Sequence, residues 1–216
     1  MHLSQRDGAP LCGTCLQNEP VFTRAAAYGS YQQGLRDLLH LLKYQHVRPA
    51  AAVLGRMLAE VIADLAEAFG SEPPVVIAVP LHAAKLRQRG FNQSDLIARA
   101  ALKLRPAALA LKINPGALVR HKATESQTGL TPQQRRQNLR GAFRVQRPAD
   151  IQGRDFLLVD DIFTTGATVS ECARVLRRAG AERVFVATVA RVLKPEAARV
   201  EPPEELGKAV SLAAHA

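Results

Sequence analysis

Residues 157–168 read Leu-Leu-Val-Asp-Asp-Ile-Phe-Thr-Thr-Gly-Ala-Thr, and they are preceded by Phe156. The run Phe156-Leu157-Leu158-Val159 is apolar without alternation, the pattern of a short strand buried on both faces. Beyond the polar residues, Val169, Cys172, Ala173 and Leu176 fall on one helical face. Arg177 and Arg178 suit that helix's last turn, and Gly180 stands just past its end. Arg183 to Val189 is a second apolar run. Strand, helix and strand in this order form a β-α-β unit, so the chain is predicted to be an α/β protein built on a parallel sheet flanked by helices.

The polar residues inside that unit carry the chemistry. Asp160 and Asp161 follow the strand and are expected to point into a polar turn at its carboxyl edge, where open α/β sheets bind ligands. Thr164, Thr165, Gly166 and Thr168 then open the helix, where unpaired backbone N–H groups and the helix dipole favour a phosphate. Gly166 lets the backbone approach a ligand without a Cβ in the way. Carboxylates accept hydrogen bonds from a sugar diol while the helix start holds its phosphate, which together describe a seat for a ribose 5-phosphate. Paired acids can merely end a strand, and threonines can merely cap a helix. The contiguous order of all the parts favours a ligand.

Working outward, Leu35, Leu38, Leu39 and Leu42 follow the spacing of an amphipathic helix, and a second helix runs from about Pro49 to Phe69. Pro73-Pro74 ends it, and Val75 to Val79 is another buried-strand run. Gly90 and Asn92 precede a helical stretch with Leu96, Ile97 and Leu102. Ala117 to Val119 is a candidate strand, and Thr131-Pro132-Gln133-Gln134 is a capping-box helix start. Three segments follow: a leader over 1–23, a domain over 24–193, and an Ala-, Glu- and Pro-rich tail over 194–216.

At 47% hydrophobic and 22% charged, the 216 residues have a folded protein's composition, not a disordered one's. The formal charge of +10 favours anionic partners, while 5% aromatics and no Trp argue against a base-stacking platform for single strands. Lys112 and Asn114 interrupt the most apolar stretch, and Arg6 and Asp7 fall where a signal peptide would turn apolar. Membrane insertion is therefore not expected, and a cytoplasmic location is. Three cysteines do not make a disulfide framework.

The segment LLVDDIFTTGAT resembles the phosphoribosyl pyrophosphate motif of type I phosphoribosyltransferases. Two further segments are similar to the ComF family of that superfamily: Val79-Pro80-Leu81-His82 followed by Arg89-Gly90-Phe91-Asn92-Gln93, and the positions Thr124, Gln127, Leu130, Arg135, Asn138 and Phe143. Ala78 stands where the family often has the first of two prolines. The resemblance implies a type I phosphoribosyltransferase fold with a small amino-terminal cover. It implies that Asp160 and Asp161 contact the ribose hydroxyls and that Phe163, Thr164, Thr165, Gly166, Ala167 and Thr168 surround the 5-phosphate. The loop after Val79 would face the pyrophosphate with Lys85, Arg87 and Arg89 nearby, and Arg120, Lys122 and Gln127 would lie on or beside a covering loop.

The implied activity is transfer of phosphoribosyl from phosphoribosyl pyrophosphate to an acceptor, with a role in DNA uptake during natural transformation. The alternatives are a non-catalytic sensor of the same ligand and a competence factor handling single-stranded DNA or competence-machinery proteins. Mg²⁺ is expected to arrive on the substrate's phosphates, needing few protein ligands. Cys12 and Cys15 supply one CxxC pair where the family commonly has two, and structural zinc wants four ligands. Bound zinc is therefore not expected.

Overall fold

The computed structural model describes residues 2–4, 20–104, 110–124 and 131–193. Its elements, in order, are β1 (His2–Ser4), β2 (Arg24–Ser30), α1 (Gln33–Tyr44), α2 (Ala50–Ala66), β3 (Val75–Ala78), α3 (Ala83–Arg89), α4 (Gln93–Lys103), β4 (Leu118–Arg120), α5 (Pro132–Leu139), β5 (Phe143–Val145), β6 (Phe156–Phe163), α6 (Ala167–Arg178) and β7 (Val184–Arg191). The main sheet has the order β1-β2-β7-β6-β3. Only the edge strand β1 is antiparallel to its neighbour.

The central strands β6 and β7 are buried on both faces, as their unbroken apolar runs require. One face packs Leu157, Val159, Phe185 and Ala187 against α1, α2 and α4, with Leu39, Leu54, Leu58 and Ile62 fully enclosed. The other packs Leu158, Phe156 and Val186 against Cys172 and Leu176 of α6, with Leu139 and the antiparallel pair β4–β5 alongside. The helices on the first face sit very close: a Cβ on Gly55 would lie 2.5 Å from the Ala100 Cβ. At the amino end of the sheet, Arg183 pairs with Asp155 and donates to the Ala68 carbonyl at 3.1 Å. That ties β6, β7 and the exit of α2 together, opposite the end that carries the candidate site.

Several expectations change. β2 has no apolar strand signature and pairs in parallel with β7, and residues 2–4, read as irregular leader, add an edge strand. The candidate strand near Ala117 is β4, which belongs to a separate two-stranded sheet. The turn expected after Val159 begins later: β6 pairs with β7 as far as Phe163 opposite Arg191. Asp160 and Asp161 are therefore strand residues, because in-register pairing with β7 overrides the low strand preference of aspartate. The capping box at Thr131 and Gln134 forms as expected, with the two reciprocal bonds at 3.3 and 2.8 Å.

Candidate active site

The end of β3 places the start of α4. Asn92 donates from Nδ2 to the Val79 carbonyl at 3.0 Å and accepts from the Ser94 amide at 3.0 Å, capping α4 and fixing it beside β6. Gln93 and Ser94, its first residues, consequently meet the two acids. Gln93 Nε2 donates to Asp161 Oδ1 at 3.1 Å, and Ser94 Oγ donates to Asp160 Oδ1 at 3.0 Å. Lys43, in the last turn of α1, forms an ion pair with Asp161 Oδ2. Arg89 donates to Gln93 Oε1 and lies over the Tyr44 ring, 5.8 Å from its centroid. A chain of contacts thus runs from α3 through α4 to β6 and α1.

The two acids differ in charge as a result. Burial alone would raise the Asp161 carboxyl, but Lys43 and then the Gln93 bond outweigh it and hold it below the ordinary carboxylate range. For Asp160, burial and then the neighbouring Asp161 charge push the carboxyl up to about 8. Asp161 is anionic and locked; Asp160 keeps its proton at neutral pH and stays partly accessible.

Phe163 ends β6, and its ring meets Phe22 edge-on at 6.2 Å. Thr164 is exposed and Thr165 half-buried. Gly166 follows at φ +73° as the N-cap of α6, bringing no side chain of its own to that position. A Cβ at Gly166 would lie 2.6 Å from the Phe163 ring, so this position needs glycine for both backbone conformation and space. Thr165 Oγ1 accepts from the Ala167 amide at 3.4 Å, and Arg135 of α5 donates to Thr164 Oγ1 at 3.2 Å. Ala167 and Thr168 form the first turn of α6.

Of the basic candidates, Arg120 ends β4 with its guanidinium over the Phe143 ring at 5.5 Å and bonded to Thr124. Burial lowers its pKa, and Cys172 and Asp160 act against that from nearby. Lys122 is exposed two residues on, and Gln127 lies outside the described residues. Lys85 and Arg87 are exposed on α3, a helix where a loop is expected, because His82 Nδ1 caps it by accepting from the Ala84 amide at 3.3 Å. Arg89, grouped with them in the sequence, is buried behind Asp161 instead. Cys172 is fully buried, which pushes its thiol well above the usual value. Cys12 and Cys15 lie outside the described residues.

With this geometry in place, a profile of the phosphoribosyl transferase domain matches residues 42–208. The chain is 36% identical over 183 residues to DNA utilization protein YhgH of Escherichia coli (strain K12), covering 84% of this chain and 78% of that protein. It is 32% identical over 182 residues to Competence protein F of Haemophilus influenzae, covering 83% and 78%. A solved hypoxanthine phosphoribosyltransferase from Staphylococcus aureus superposes with a TM-score of 0.41 at 15% identity, over 66% of this chain and 64% of that one. The chain belongs to the phosphoribosyltransferases, as a ComF-like member of type I.

In this phosphoribosyltransferase the sequence reading located the acid pair and the helix start but missed the residues that hold them. Lys43 looks like a solvated end to an amphipathic helix, and nothing local marks its partner. Gln93 and Ser94 could have been found, since polar residues opening an otherwise apolar helix inside a family block ask for a reason. Arg135 stood in the matched block, and its contact with Thr164 gives it one.

Among the described residues no three His, Cys, Asp or Glu side chains converge as a metal cage. Mg²⁺ needs only one or two carboxylates when phosphates and water supply the rest. Asp160, which among the described residues has no lysine or arginine bonded to it, would fit that demand on giving up its proton to the cation.

Proposed function

We propose that this protein binds phosphoribosyl pyrophosphate with Mg²⁺ at the carboxyl end of β6 and transfers phosphoribosyl to an acceptor nucleophile. The observation that carries this reading is the unbroken order of an acid pair on β6, a left-handed glycine at 166, and a helix start with that glycine as its N-cap. The amides of the Thr164–Thr168 turn would hold the 5-phosphate, where the helix dipole favours an anion. Asp160 would meet the ribose hydroxyls, and Asp161, fixed by Lys43 and Gln93, would keep its neighbour in place. In the reaction the bond from the anomeric carbon to the pyrophosphate oxygen breaks, the oxygen keeps the electron pair, and the acceptor bonds to that carbon. Positive charge on the sugar is the oxocarbenium pattern of glycoside chemistry. The departing pyrophosphate would gain from Arg120 and Lys122, with Lys85, Arg87 and Gln127 as further candidates and Arg89 as a buried support. Bound Mg²⁺ would supply charge neutralisation on the pyrophosphate, with Asp160 as its protein carboxylate.

The names of the two relatives, DNA utilization and competence, support a setting in DNA uptake. A second reading, sensing without transfer, is favoured by Asp160 itself: a carboxyl raised to about 8 is protonated at neutral pH and is a poor base toward an acceptor. Both readings are tested by calorimetric titration with phosphoribosyl pyrophosphate and Mg²⁺, followed by a pyrophosphate-release assay with ammonia, nucleobases and oligonucleotides as acceptors. Transfer predicts saturable binding and release. Binding without release from any acceptor leaves the sensor, and absence of binding overturns both.

A further inference from the structure

Away from the acid pair, α5 and α6 enclose a groove of about 620 Å³. Four arginines line it: Arg136 and Arg140 from the last turn and exit of α5, Arg174 and Arg178 one turn apart on α6. The groove begins at Ala167 and Ser170 in the first turns of α6, so it opens beside the helix start but runs away from it. Among the described residues Glu171 is the one carboxylate lining it.

The bland alternative is a solvated basic surface. Three features weigh against it. The arginines come from two helices and line a shared concavity, where charges of one sign reinforce one another's field. Arg174 is held by a two-point contact to Glu171, with Nε to Oε2 at 2.7 Å, and Glu171 also accepts from the Gly141 amide at 2.7 Å. The same carboxylate therefore anchors the α5 exit and orients a guanidinium. Finally, no side-chain hydrogen bond or ion pair with another described residue accompanies Arg136 or Arg140, which leaves two planar forks open. Such forks match phosphate oxygens in pairs.

We propose that this groove is a second anion site, which takes a ligand carrying two or more phosphate groups between the α5 arginines and the α6 arginines. Among the described residues no aromatic side chain lines it, so the recognition proposed runs through phosphate and not through the base. Two sources share that chemistry, a nucleoside polyphosphate and a phosphodiester strand. The site does not depend on the proposed reading of the 164–168 turn.

The test uses the full chain and the double variant Arg136→Gln/Arg140→Gln, whose exposed positions leave the core untouched. Adenosine triphosphate and an oligothymidylate of about twelve nucleotides are titrated separately at several salt concentrations, with and without saturating phosphoribosyl pyrophosphate and Mg²⁺. The wild type is expected to bind one of the probes with phosphoribosyl pyrophosphate present, and the variant to bind it at least about tenfold more weakly with a shallower salt dependence. The responding probe identifies the source. Binding by neither probe, or equal binding of the responding probe by both proteins, overturns the site. A parallel titration with phosphoribosyl pyrophosphate alone separates the two proposals: its failure removes the turn's reading and leaves the groove's result standing.

Discussion

Two neighbouring stretches of the same segment are held in opposite ways. Asp160 and Asp161 are enclosed by side chains from α1 and α4, each with named partners. Thr164 to Ala167, a few residues on, is shaped mainly by backbone: a left-handed glycine over a phenylalanine ring serves as the helix N-cap, with a long bond from the Ala167 amide to Thr165 and an arginine contact from α5. The acid end owes its geometry to charge compensation in a low dielectric, and the turn owes its geometry to sterics. Damage to the first should therefore appear in stability and its pH dependence, and damage to the second in ligand affinity.

The largest expected effect is at the acid end. Lys43→Met leaves Asp161 buried without its counter-ion, and breaking such a pair costs about 3–5 kcal/mol. The sign with pH follows from the direction of the shift. In the wild type Asp161 is held below the ordinary carboxylate range, so its contribution is present above the unfolded value and lost as pH falls through the folded one. Without Lys43, burial raises that carboxyl and the contribution reverses. Denaturant unfolding of Lys43→Met should show a larger loss at pH 8 than at pH 5. An equal loss at both would mean that the ion pair does not hold the acid's charge.

Gly166→Ala comes next and probes the steric side. A left-handed conformation costs a residue with a Cβ roughly 1–2 kcal/mol, and the Phe163 ring must also shift from a contact of 2.6 Å. The melting temperature should fall without the pH dependence of the lysine variant, and phosphoribosyl pyrophosphate affinity should fall with it. A stable variant with unchanged affinity would show that the turn's shape is not what binds.

These contrasts also explain what could be read beforehand. The β6-α6-β7 unit was legible because its signals are local: two apolar runs, an amphipathic face, a basic last turn and Gly180. The capping box at Thr131 was legible for the same reason. β2 was not, since Arg24-Ala-Ala-Ala-Tyr-Gly-Ser30 lacks branched residues and becomes a strand by pairing with β7. The acid pair was visible as chemistry, but its inequality was not. Lys43 lies far away in the chain, and a lysine ending a helix carries no mark of burial. The four arginines of the α5–α6 groove belong to two separate helices, so only the fold brings them together.

Asp160→Asn should separate the two kinds of effect within one residue. Where bound Mg²⁺ displaces the Asp160 proton, the charge-assisted bond from a ribose hydroxyl is worth roughly 1.5–3 kcal/mol, so affinity measured with Mg²⁺ should fall by about tenfold or more. Stability should move the other way. With a folded pKa of about 8 against an ordinary value of 3.8, the wild type keeps a proton that the unfolded chain releases. Its stability therefore declines as pH rises between those values, by up to ~1.4 kcal/mol per unit. Asn has no proton to lose, so the variant's advantage should widen from about pH 4 to about pH 8 and then level off. Asp161→Asn should instead lose stability, since it strips Lys43 of its partner. If the two variants behaved alike, the acids would not have the unlike roles assigned to them.

Thr165→Ala is expected to be the mildest. Its hydroxyl makes one long bond to the Ala167 amide at 3.4 Å, at the weak end of hydrogen-bond geometry. Removing it deletes neither the glycine that shapes the turn nor the backbone amides proposed to hold the phosphate. The freed Ala167 amide becomes available to the ligand, which offsets part of any lost hydroxyl contact. A net neutral hydrogen bond is worth about 0.5–1.5 kcal/mol, so the affinity loss should stay within roughly tenfold and below that of Asp160→Asn. Calorimetric titration of the three proteins side by side, with unliganded melts as the folding control, gives the ranking. A Thr165→Ala loss larger than that of Asp160→Asn would move the anchoring of the phosphate from the backbone to the hydroxyl. The turn would then depend, like the acid end, on a single side chain.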